Sequence, residues 1–450
     1  MIPVVTPEEM KAADRDAPEP VEVLIERAGA AVARTAVEML CGTYGRRVVV
    51  VAGKGNNGAD GRAAAVRLRR RGARVEVVDA LDGPERLPPA DLVVDAAYGT
   101  GFRGDYRAPE PGGAPVLAVD IPSGVDGLTG RAGDDAVRAD RTVTFAALKP
   151  GLLLPVGRER SGRVTVADIG LPLPDVRMHL VEQADVLAWV PEREPETHKW
   201  RSAVYVVAGS PGMTGAAHLA ARATLRAAAG TVRLGIPGVE PDPRFLEVVG
   251  RSIPAEDWAP DVLADAERAK AIVVGPGLGR DETTRSAVRR LVAEAPVPVV
   301  VDADGLHALG DADEAREVLA GRTAATVLTP HEGEFSRLSG SATPDDRIGA
   351  TCELARRTGA TVLLKGSTTV VAGPGGDVLL SAAGDARLAS AGTGDVLAGV
   401  LGAFLAQGID ALQAAGAAAY VHGRAGHLGW RRGLVAGDLL DLLPAVLEGS

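Results

Sequence analysis

The sequence predicts a two-domain protein of the α/β class, with each domain built on a mostly parallel β-sheet. The chain has 450 residues, more than one hydrophobic core usually serves. Short β-branched runs alternate with helical stretches in both halves, which is typical of parallel strands joined by helices. A proline-rich stretch between residues 171 and 200 interrupts this alternation. The domain boundary is therefore predicted there, dividing residues 1–190 from residues 191–450.

The first half alternates helices with strands at short intervals. An amphipathic helix is predicted at Val21–Leu40, and a helix rich in alanine and arginine is predicted at Gly61–Arg71. Apolar runs bounded by turn-forming residues indicate buried strands. The strands predicted in this way are Arg47–Val51, Val75–Val78, Leu92–Val94, Val116–Val119 and Val143–Phe145. This alternation predicts a parallel sheet covered on both faces.

The second half repeats this organisation with more strands, so a wider sheet is expected. Its predicted strands are Val204–Ala208, Val232–Ile236, Ala271–Val274, Val299–Val301, Ala325–Leu328, Thr361–Leu364 and Thr369–Ala372. Alanine-rich helices are predicted from about Asp395 onward. No short-period repeat is present, which argues against a solenoid.

Composition narrows the class of protein. The formal net charge is −10 and aromatic residues make up 3% of the chain, which argues against a general nucleic-acid binder. The two cysteines, Cys41 and Cys352, are too far apart for a zinc motif and fit a reducing compartment. The first residues lack a basic region followed by an apolar run, and no apolar stretch is long enough to span a bilayer. A soluble, cytoplasmic protein with no membrane partner is expected.

A glycine-rich segment follows the first predicted strand. Gly53, Gly55 and Gly58 have the spacing of a dinucleotide-binding fingerprint, in which backbone amides at a helix start approach a phosphate. Asp79 lies near the distance at which such sites carry a ribose-binding acid. A plain NAD(P)-dependent dehydrogenase is therefore one reading, although the fingerprint alone is a weak signal.

Two further loops, beginning at Asp95 and Asp120, also follow predicted strands. The carboxyl ends of parallel strands meet at one edge of a sheet, where ligands bind in open α/β folds. The polar side chains expected to converge there are Asn56, Asn57, Asp60, Asp95, Asp120 and Ser123. Each is also a common turn-forming residue. An oxygen-rich set of this kind suits a hard cation and a polar substrate.

At these loops the sequence resembles the NAD(P)H-hydrate epimerase family over roughly Thr6 to Pro172. The matching segments are Gly53–Gly61, Asp95–Gly101, Asp120–Gly127, Phe145–Gly151 and Asp168–Pro172. The sequence departs from the family at Ala59, where the family usually has glycine. The resemblance implies a Rossmann-like three-layer domain that interconverts the two epimers of hydrated NADH and NADPH.

The resemblance also implies roles for individual residues. Potassium ligands are expected at Asn57, Asp95 and Ser123. Substrate-binding positions are expected at Asn56, Asn57, Gly58, Ala59, Asp60, Gly99, Thr100, Gly101, Phe102, Arg103, Gly104, Asp105 and Asp120. Asp120 is also the expected acid–base residue. Epimerisation requires the C6 hydroxyl to leave and return on the other face, and a carboxylate can move the proton and stabilise the intermediate cation.

Four segments of the second half carry a second chemical signal. They are Gly209–Ala217, Thr329–Phe335, Leu363–Val371 and Ala391–Gly399. Gly392–Gly394 opens a predicted helix, where free backbone amides can hold a phosphoryl group. Asp395 follows in the first turn, where a carboxylate can take the proton of a hydroxyl that attacks phosphorus.

These segments resemble the ribokinase-like superfamily and, more narrowly, the ADP- or ATP-dependent NAD(P)H-hydrate dehydratases, from about His198 onward. Implied nucleotide contacts are Lys365, Gly366, Ser367, Thr368, Thr369 and Gly394. Implied hydrate-binding positions are Ala216, Gly277, His331 and Asp395, and Asp395 is also the implied base. Glu334, in a motif with His331, is the implied magnesium ligand.

Together the two resemblances imply a bifunctional repair enzyme. Phosphorylation of the C6 hydroxyl of the S hydrate converts a poor leaving group into a good one. Loss of phosphate and of the C5 proton then restores NADH or NADPH. ADP is the implied phosphoryl donor, leaving AMP and phosphate, with ATP as the alternative; K⁺ and Mg²⁺ are the implied cations, and a homo-oligomer is expected.

Three other readings compete with this one. A hydroxymethylpyrimidine- or thiazole-type small-molecule kinase fused to a nucleotide-binding domain would share the loop before Asp395. A non-catalytic nucleotide sensor would not need the carboxylates at Asp95, Asp120 and Asp395. A plain dehydrogenase would leave the second half unexplained.

Overall fold

The computed structural model describes residues 1–104, 106–173, 175–242 and 246–449. The chain forms two compact units, Ile2–Val176 and Arg177–Ser450, with Met1 grouped with the second. They divide inside the proline-rich stretch, ahead of the boundary predicted between residues 190 and 191. That boundary stays a prediction, since compactness does not say which residues each activity needs. No helix among the described residues has the length and apolar character to cross a membrane.

The N-terminal unit contains seven strands and five helices among its described residues. Its strands are β1 (Ile2–Pro3), β2 (Arg47–Ala52), β3 (Arg74–Asp79), β4 (Leu92–Ala96), β5 (Val116–Val119), β6 (Arg141–Phe145) and β7 (Arg163–Ala167). Its helices are α1 (Pro7–Arg15), α2 (Val21–Leu40), α3 (Asn56–Arg70), α4 (Pro150–Leu153) and α5 (Pro155–Ser161). The predicted strands and the predicted helix at Val21–Leu40 are confirmed.

Six of these strands form one sheet in the order β3-β2-β4-β5-β6-β7, and every neighbouring pair is parallel. The predicted parallel sheet is therefore confirmed. The strands β2, β4 and β5 are almost wholly buried aliphatic runs, as expected when both faces are covered. Their carboxyl ends bring the loops after Ala52, Ala96 and Val119 to one edge.

Helix α3 begins earlier than predicted, at Asn56 rather than at Gly61. Gly55 is extended and caps the helix start, so no turn-forming residue separates the glycine-rich segment from the helix. Asn57 and Asp60 therefore lie in the opening turns of α3 instead of in a flexible loop. Their backbones are held by the helix, which fixes the direction of both side chains.

The C-terminal unit contains the remaining elements. Its strands are β8 (Met178–Leu180), β9 (Ala203–Val207), β10 (Thr231–Pro237), β11 (Val249–Ile253), β12 (Ala271–Val274), β13 (Val299–Val301), β14 (Thr326–Leu328), β15 (Thr361–Leu364), β16 (Thr369–Ala372) and β17 (Val378–Ser381). Its α-helices are α6 (Gln183–Trp189), α7 (Thr214–Arg226), α8 (Ala259–Ala266), α9 (Glu282–Glu294), α10 (Asp304–Leu309), α11 (Ala312–Leu319), α12 (Glu332–Ser339), α13 (Arg347–Thr358), α14 (Thr393–Ala406), α15 (Ala411–Leu428) and α16 (Ala436–Leu447).

These strands lie in the order β8-β17-β16-β15-β14-β13-β12-β9-β10-β11, which confirms the wider sheet. Pairing is parallel from β11 to β15, whereas β15, β16 and β17 pair antiparallel. The sequence did not predict β8, β11 or β17. Helix α14 is buried along almost its whole length within the aliphatic core, so its first turn is held firmly beside the sheet edge.

Candidate active sites

A cavity of about 850 Å³ opens at the carboxyl edge of the N-terminal sheet. The predicted substrate positions that line it are Asn56, Asn57, Asp60, Gly99, Thr100, Gly101, Phe102, Arg103 and Asp120. Gly58, Ala59 and Gly104 do not line it, and Asp105 lies outside the described residues. A β-carbon on Gly58 would lie 1.9 Å from the carbonyl oxygen of Gly53, so glycine is needed there for the close approach of two backbone segments.

Asp120 lies at the centre of this edge in a strained, left-handed conformation with a φ of 65°. Its Oδ2 accepts hydrogen bonds from the backbone N–H and the hydroxyl of Thr100. Its Oδ1 accepts hydrogen bonds from Lys149 at 2.7 Å and from Thr144 at 3.2 Å. Burial would raise the pKa of Asp120, but Lys149 and the Thr100 donors outweigh it and leave the pKa below its ordinary value. Asp120 is therefore held as a carboxylate.

Lys149 is a site residue that the sequence reasoning missed. Its ammonium is buried and donates to Asp120, to the Thr144 hydroxyl at 2.7 Å and to the Phe145 carbonyl at 3.0 Å. Two signals could have found it, since it is one of only six lysines and lies in the matched segment Phe145–Gly151. Each of the three N–H groups of this ammonium has an oxygen partner. Because an unpaired buried charge is costly, Lys149 is stable as an ammonium only while it is paired with Asp120.

Two more carboxyl groups, Asp14 and Asp60, line the same cavity. Asp14 lies on α1, whose start is fixed by a capping box between Thr6 and Glu9. Burial, together with the charges of Asp120 and Asp14, raises the pKa of Asp60 to about 8. Burial and the charge of Asp120 also raise the pKa of Asp14. Asp60 thus carries a proton at neutral pH while Asp120 does not.

Of the predicted potassium ligands, Asn57 lines this cavity, whereas Asp95 and Ser123 do not. Asp95 is buried and accepts hydrogen bonds from the backbone N–H of Ser123 at 2.8 Å and from its hydroxyl at 2.7 Å. Burial raises the pKa of Asp95 to about 6, although the bonds from Ser123 oppose this. Both amide atoms of Asn57 are buried, and neither has a hydrogen-bond partner among the residues that the structure describes. Unpaired buried amide atoms are costly, so the Asn57 side chain fits a role in holding a cation or a ligand.

Asp79, the acid expected of a dehydrogenase, has a local structural role. Its Oδ1 accepts hydrogen bonds from the backbone N–H groups of Leu81 and Asp82, which closes the turn after β3. These bonds are the main reason why its pKa is lowered. The carboxylate is therefore occupied within its own turn. The dehydrogenase reading loses the residue that was expected to bind the ribose.

In the C-terminal unit, the segment before α14 forms the predicted helix start. Gly392 has a φ of 88° and caps the helix, and the hydroxyl of Thr393 donates to the Leu388 carbonyl at 2.8 Å. Asp395 lies in the first turn. Burial and the charge of Asp302 raise the pKa of Asp395 to about 6, against the lowering effect of Lys365. A carboxylate with such a pKa is a competent base at neutral pH.

Lys365 interacts electrostatically with Asp395 and pairs with a second buried carboxylate, Asp302, which the sequence reasoning missed. Its Nζ lies 2.8 Å from Oδ1 of Asp302, and that atom also accepts a 2.8 Å hydrogen bond from the Thr329 hydroxyl. Burial lowers the pKa of Lys365, but Asp302 and Glu334 outweigh it and raise the pKa. Asp302 directly follows β13, so the rule applied to Asp95 and Asp120 could have found it. A β-carbon on Gly394 would lie 3.5 Å from the Lys365 Nζ.

His331 and Glu334 together begin helix α12. Nδ1 of His331 accepts hydrogen bonds from the N–H groups of Gly333 and Glu334, and Oε2 of Glu334 accepts one from the His331 N–H at 2.9 Å. Glu334 also lies 3.7 Å from the Lys365 ammonium. Among the described residues no group of three or more His, Cys, Asp or Glu side chains is arranged to hold a metal. A Mg²⁺ here would need phosphate or water oxygens to complete its shell, as it commonly does.

Ala216 and Gly277 lie side by side. A β-carbon on Gly277, whose φ is 66°, would lie 3.1 Å from that of Ala216, and the Gly277 carbonyl accepts a 2.9 Å bond from the Ser210 hydroxyl. One turn farther along α7, Leu219 lies against Gly392. Helix α7 thus connects the predicted hydrate positions with the start of α14.

The remaining predicted nucleotide positions lie between β15 and the start of β16. Gly366, Ser367 and Thr368 form the turn, and Thr369 is the first residue of β16. The side chain of Arg347 donates to the Lys365 carbonyl at 3.1 Å, and the Thr369 hydroxyl donates to the Gly366 carbonyl at 3.4 Å. This turn is therefore fixed beside Lys365 by contacts from α13.

Comparison with known proteins identifies both units. A family described as NAD(P)H-hydrate dehydratase matches residues 204–445, and one described as YjeF-related protein N-terminus matches residues 21–88 and 78–151. A bifunctional NAD(P)H-hydrate repair enzyme of Moorella thermoacetica is 37% identical over 99% of this chain and 96% of its own length. One of Salinibacter ruber is 39% identical over 99% and 96%.

Solved structures agree for the C-terminal unit. The ADP/ATP-dependent NAD(P)H-hydrate dehydratase of Bacillus subtilis, crystallised with ATP and Mg²⁺, is 32% identical with a TM-score of 0.51, covering 59% of this chain and 96% of its own. A ribokinase-like protein of Enterococcus faecalis, 20% identical with a TM-score of 0.52 over 62% of this chain and 98% of its own, shares the fold.

The fold and the two sites define a two-domain α/β enzyme with a Rossmann-like N-terminal domain and a ribokinase-like C-terminal domain. The chain belongs to the family of bifunctional NAD(P)H-hydrate repair enzymes, which combine an epimerase with a dehydratase. The prediction of this family and of an enzyme is therefore confirmed. The small-molecule kinase reading is set aside, since the repair-enzyme relatives match the chain over both units.

Proposed function

We propose that this protein repairs hydrated NADH and NADPH, with the N-terminal site interconverting the R and S hydrates and the C-terminal site dehydrating the S hydrate. The observation that carries the proposal is the presence of two separately built carboxylate sites, at Asp120 and at Asp395, in a chain that matches repair enzymes end to end. ADP is the proposed phosphoryl donor, with ATP as the alternative.

At the N-terminal site the hydrate would occupy the cavity above Asp120. The carboxylate of Asp120 stabilises the positive charge that forms on the nicotinamide ring as the C6 hydroxyl leaves. Thr100 and Lys149 hold this carboxylate in place. Asn57, Asp95 and Ser123 would hold K⁺, which would supply a fixed positive charge at this site; the amide of Asn57, without a partner among the described residues, supports this assignment.

At the C-terminal site the hydrate would lie between the Ala216–Gly277 pair and Asp395, with His331 at its margin. Asp395 removes the proton of the C6 hydroxyl as that oxygen attacks the terminal phosphorus of the nucleotide. The amides at the start of α14, including that of Gly394, would hold the phosphoryl group, and the ammonium of Lys365 would offset its charge. Glu334 would hold Mg²⁺ together with the nucleotide phosphates, and the cation would neutralise developing charge there.

A relative that was crystallised with a nucleotide and a cation supports the choice of both. The Bacillus subtilis dehydratase was crystallised with ATP and Mg²⁺, and its match covers 59% of this chain and 96% of its own. We also propose that residues 1–190 and 191–450 delimit the two activities, that the protein works in the cytoplasm, and that it self-associates. Both cysteines are free, in keeping with a reducing compartment.

The test supplies purified protein with both epimers of hydrated NADH, Mg²⁺, K⁺ and either ADP or ATP, and follows near-UV absorbance as NADH reappears. The wild type should restore all of the hydrate. Asp395→Ala should restore none. Asp120→Ala should restore one epimer quickly and the other only at its spontaneous rate. If the wild type restores no NADH with either nucleotide, the proposal is wrong, and the small-molecule kinase becomes the leading alternative.

A further inference from the structure

The two buried carboxyl groups that face the N-terminal cavity, Asp60 and Asp120, have opposite surroundings. Asp120 accepts four hydrogen bonds, one of them from an ammonium ion. Asp60 is 7% exposed, and no donor among the described residues hydrogen-bonds its carboxyl group. A carboxylate with four donors is stabilised as the anion, whereas a buried carboxyl without donors is stabilised as the neutral acid.

The backbone positions add to this contrast. Asp60 projects from the opening turns of α3, whereas Asp120 follows β5 in a strained conformation. Both line the same cavity, as does the glycine at position 99, whose absent β-carbon would lie 3.3 Å from Oδ2 of Asp120. Substrate in this cavity would therefore contact a fixed anion at Asp120 and a free acid at Asp60.

We propose that epimerisation is divided between two residues, with Asp60 as the proton donor and acceptor for the C6 hydroxyl and Asp120 as a permanently ionised stabiliser of the ring cation. This deepens the proposed function of the N-terminal site and rests on it. It also revises the sequence-based expectation that one carboxylate, Asp120, performs both tasks.

The reaction balances without any further reactant. Asp60 gives its proton to the C6 hydroxyl as the C6–O bond breaks, and the lone pair of the ring nitrogen forms a carbon–nitrogen double bond. The products of this step are one water molecule, a cationic ring and the Asp60 carboxylate. Water then adds to C6 from either face while its proton returns to Asp60 and the electron pair returns to nitrogen. Asp120 stays ionised throughout and gains or loses no proton.

The electrostatics of the cavity support this division. Burial, Asp120 and Asp14 raise the pKa of Asp60 to about 8, whereas Lys149 and the Thr100 donors hold the pKa of Asp120 below its ordinary value. Two carboxyl groups whose environments push their pKa values apart are a common basis for separate acid and base roles. The titratable and charged side chains that line the cavity with Asp60 are Asp14, Lys54, Tyr98, Arg103, Asp120 and Lys149.

The test measures interconversion of the separated R and S hydrates by chromatography. No nucleotide is added, so the dehydratase site is inactive. It is run in water enriched in oxygen-18, at constant K⁺, from pH 6 to pH 10. The wild type should exchange the C6 oxygen with solvent at the rate at which it epimerises. That rate should be highest below about pH 8 and fall above it as Asp60 loses its proton. Asp60→Asn should lose at least about 100-fold in kcat with little change in KM, since general acid–base catalysis contributes on that scale.

A matched control is Asp14→Asn, which alters a second carboxyl of the same cavity. It should retain exchange and move the fall in rate to lower pH, because it removes a negative charge that raises the pKa of Asp60. Two results would overturn the division. One is an Asp60→Asn variant that is as fast as the wild type. The other is a fall in rate at high pH that persists in Asp60→Asn but disappears in Asp14→Asn. If the wild type itself fails to epimerise, the proposed function of the domain fails instead.

Discussion

The ammonium of Lys149 lies 2.7 Å from Oδ1 of Asp120, and both side chains are buried beneath the N-terminal cavity. Neither charge has bulk water to stabilise it, so each depends on the other. The pair comes from two loops that follow adjacent strands, β5 and β6, so it fixes the relative position of these loops. It also explains how a left-handed aspartate can persist at residue 120, since surrounding contacts must determine such a conformation.

Lys149→Met should therefore destabilise the N-terminal domain and abolish epimerisation. Removing one partner of a buried pair leaves an uncompensated charge, at a cost of about 3–5 kcal/mol. Urea unfolding followed by circular dichroism should show the loss. The double variant Lys149→Met with Asp120→Asn should recover part of it, because the unpaired charge is gone, yet remain inactive. A single variant as stable as the wild type would contradict the coupling.

Asp60→Asn should be more stable than the wild type, since Asp60 is a buried carboxyl with a pKa raised to about 8. Below about pH 4 the side chain is protonated in both folded and unfolded chains, so it costs nothing. Between pH 4 and pH 8 only the unfolded chain loses the proton, which lowers stability increasingly; above pH 8 the cost is constant.

The stability gain of Asp60→Asn should therefore grow from pH 4 to pH 8 and then level off. One unit of pKa shift corresponds to about 1.4 kcal/mol, so the gain at pH 8 should exceed ~1 kcal/mol. Thermal unfolding at several pH values measures it, with Asp82→Asn, an exposed aspartate of the same domain, as the control. A gain that does not depend on pH would contradict the raised pKa.

Much of the fold and part of the sites could be predicted from sequence, for identifiable physical reasons. Buried parallel strands are uninterrupted aliphatic runs, so Ala271–Val274 and Thr361–Leu364 were placed correctly. Strand β11 was missed because four of its five residues are not fully buried and its sequence, Val-Gly-Arg-Ser-Ile, lacks an apolar run. The start of α3 was missed because Asn56, Asn57 and Gly58 are poor helix formers that tertiary contacts nevertheless hold in a helix.

Residues that line a site were predictable where a strand end or a motif marked them. The carboxylates at positions 95, 120 and 395 were found in this way. Side chains that act on these residues from another element were not, and Lys149 and Asp302 are the clearest cases. A matched segment marks Lys149 and a strand end marks Asp302, but the sequence does not show that each bonds a residue 29 or 63 positions away in the chain.

Asp302→Asn should weaken nucleotide-dependent dehydration by displacing Lys365. Asp302 is 1% exposed and bonds both the Lys365 ammonium and the Thr329 hydroxyl, so an amide there leaves the ammonium with less compensating charge. The KM for ADP should rise at least about tenfold, which corresponds to 1.4 kcal/mol. Asp304→Asn is the matched control, because its partner Arg280 is exposed; equal effects of the two variants would refute a special role for Asp302.

Ala59→Gly, which restores the residue usual in the family, should not improve epimerisation. Ala59 lies inside α3 and is not among the residues with positive φ, so its methyl group meets no backbone conflict. Glycine within a helix is about 1 kcal/mol less favourable than alanine, so the variant should unfold at a lower temperature. Steady-state rates and thermal unfolding test both statements, and a faster, equally stable variant would show that the methyl group obstructs the site.

The dehydratase should depend on pH through Asp395, whose pKa burial and the charge of Asp302 raise to about 6. As a base it must be ionised, so the rate should be low at pH 5, rise through about pH 6 and level off by about pH 7.5. Asp395→Asn should be inactive at every pH, because an amide cannot accept the hydroxyl proton.

The Asp395→Asn variant distinguishes the titration of Asp395 from other sources of pH dependence in the dehydratase. Epimerisation by Asp395→Asn, measured without nucleotide, should equal that of the wild type, because Asp395 lies in the other compact unit. Asp302→Asn provides a second check, since loss of its charge should lower the pKa of Asp395 and move the rise in rate to lower pH. A midpoint that stays in place in Asp302→Asn would assign the titration to the nucleotide phosphates instead, because their ionisation does not depend on this carboxylate.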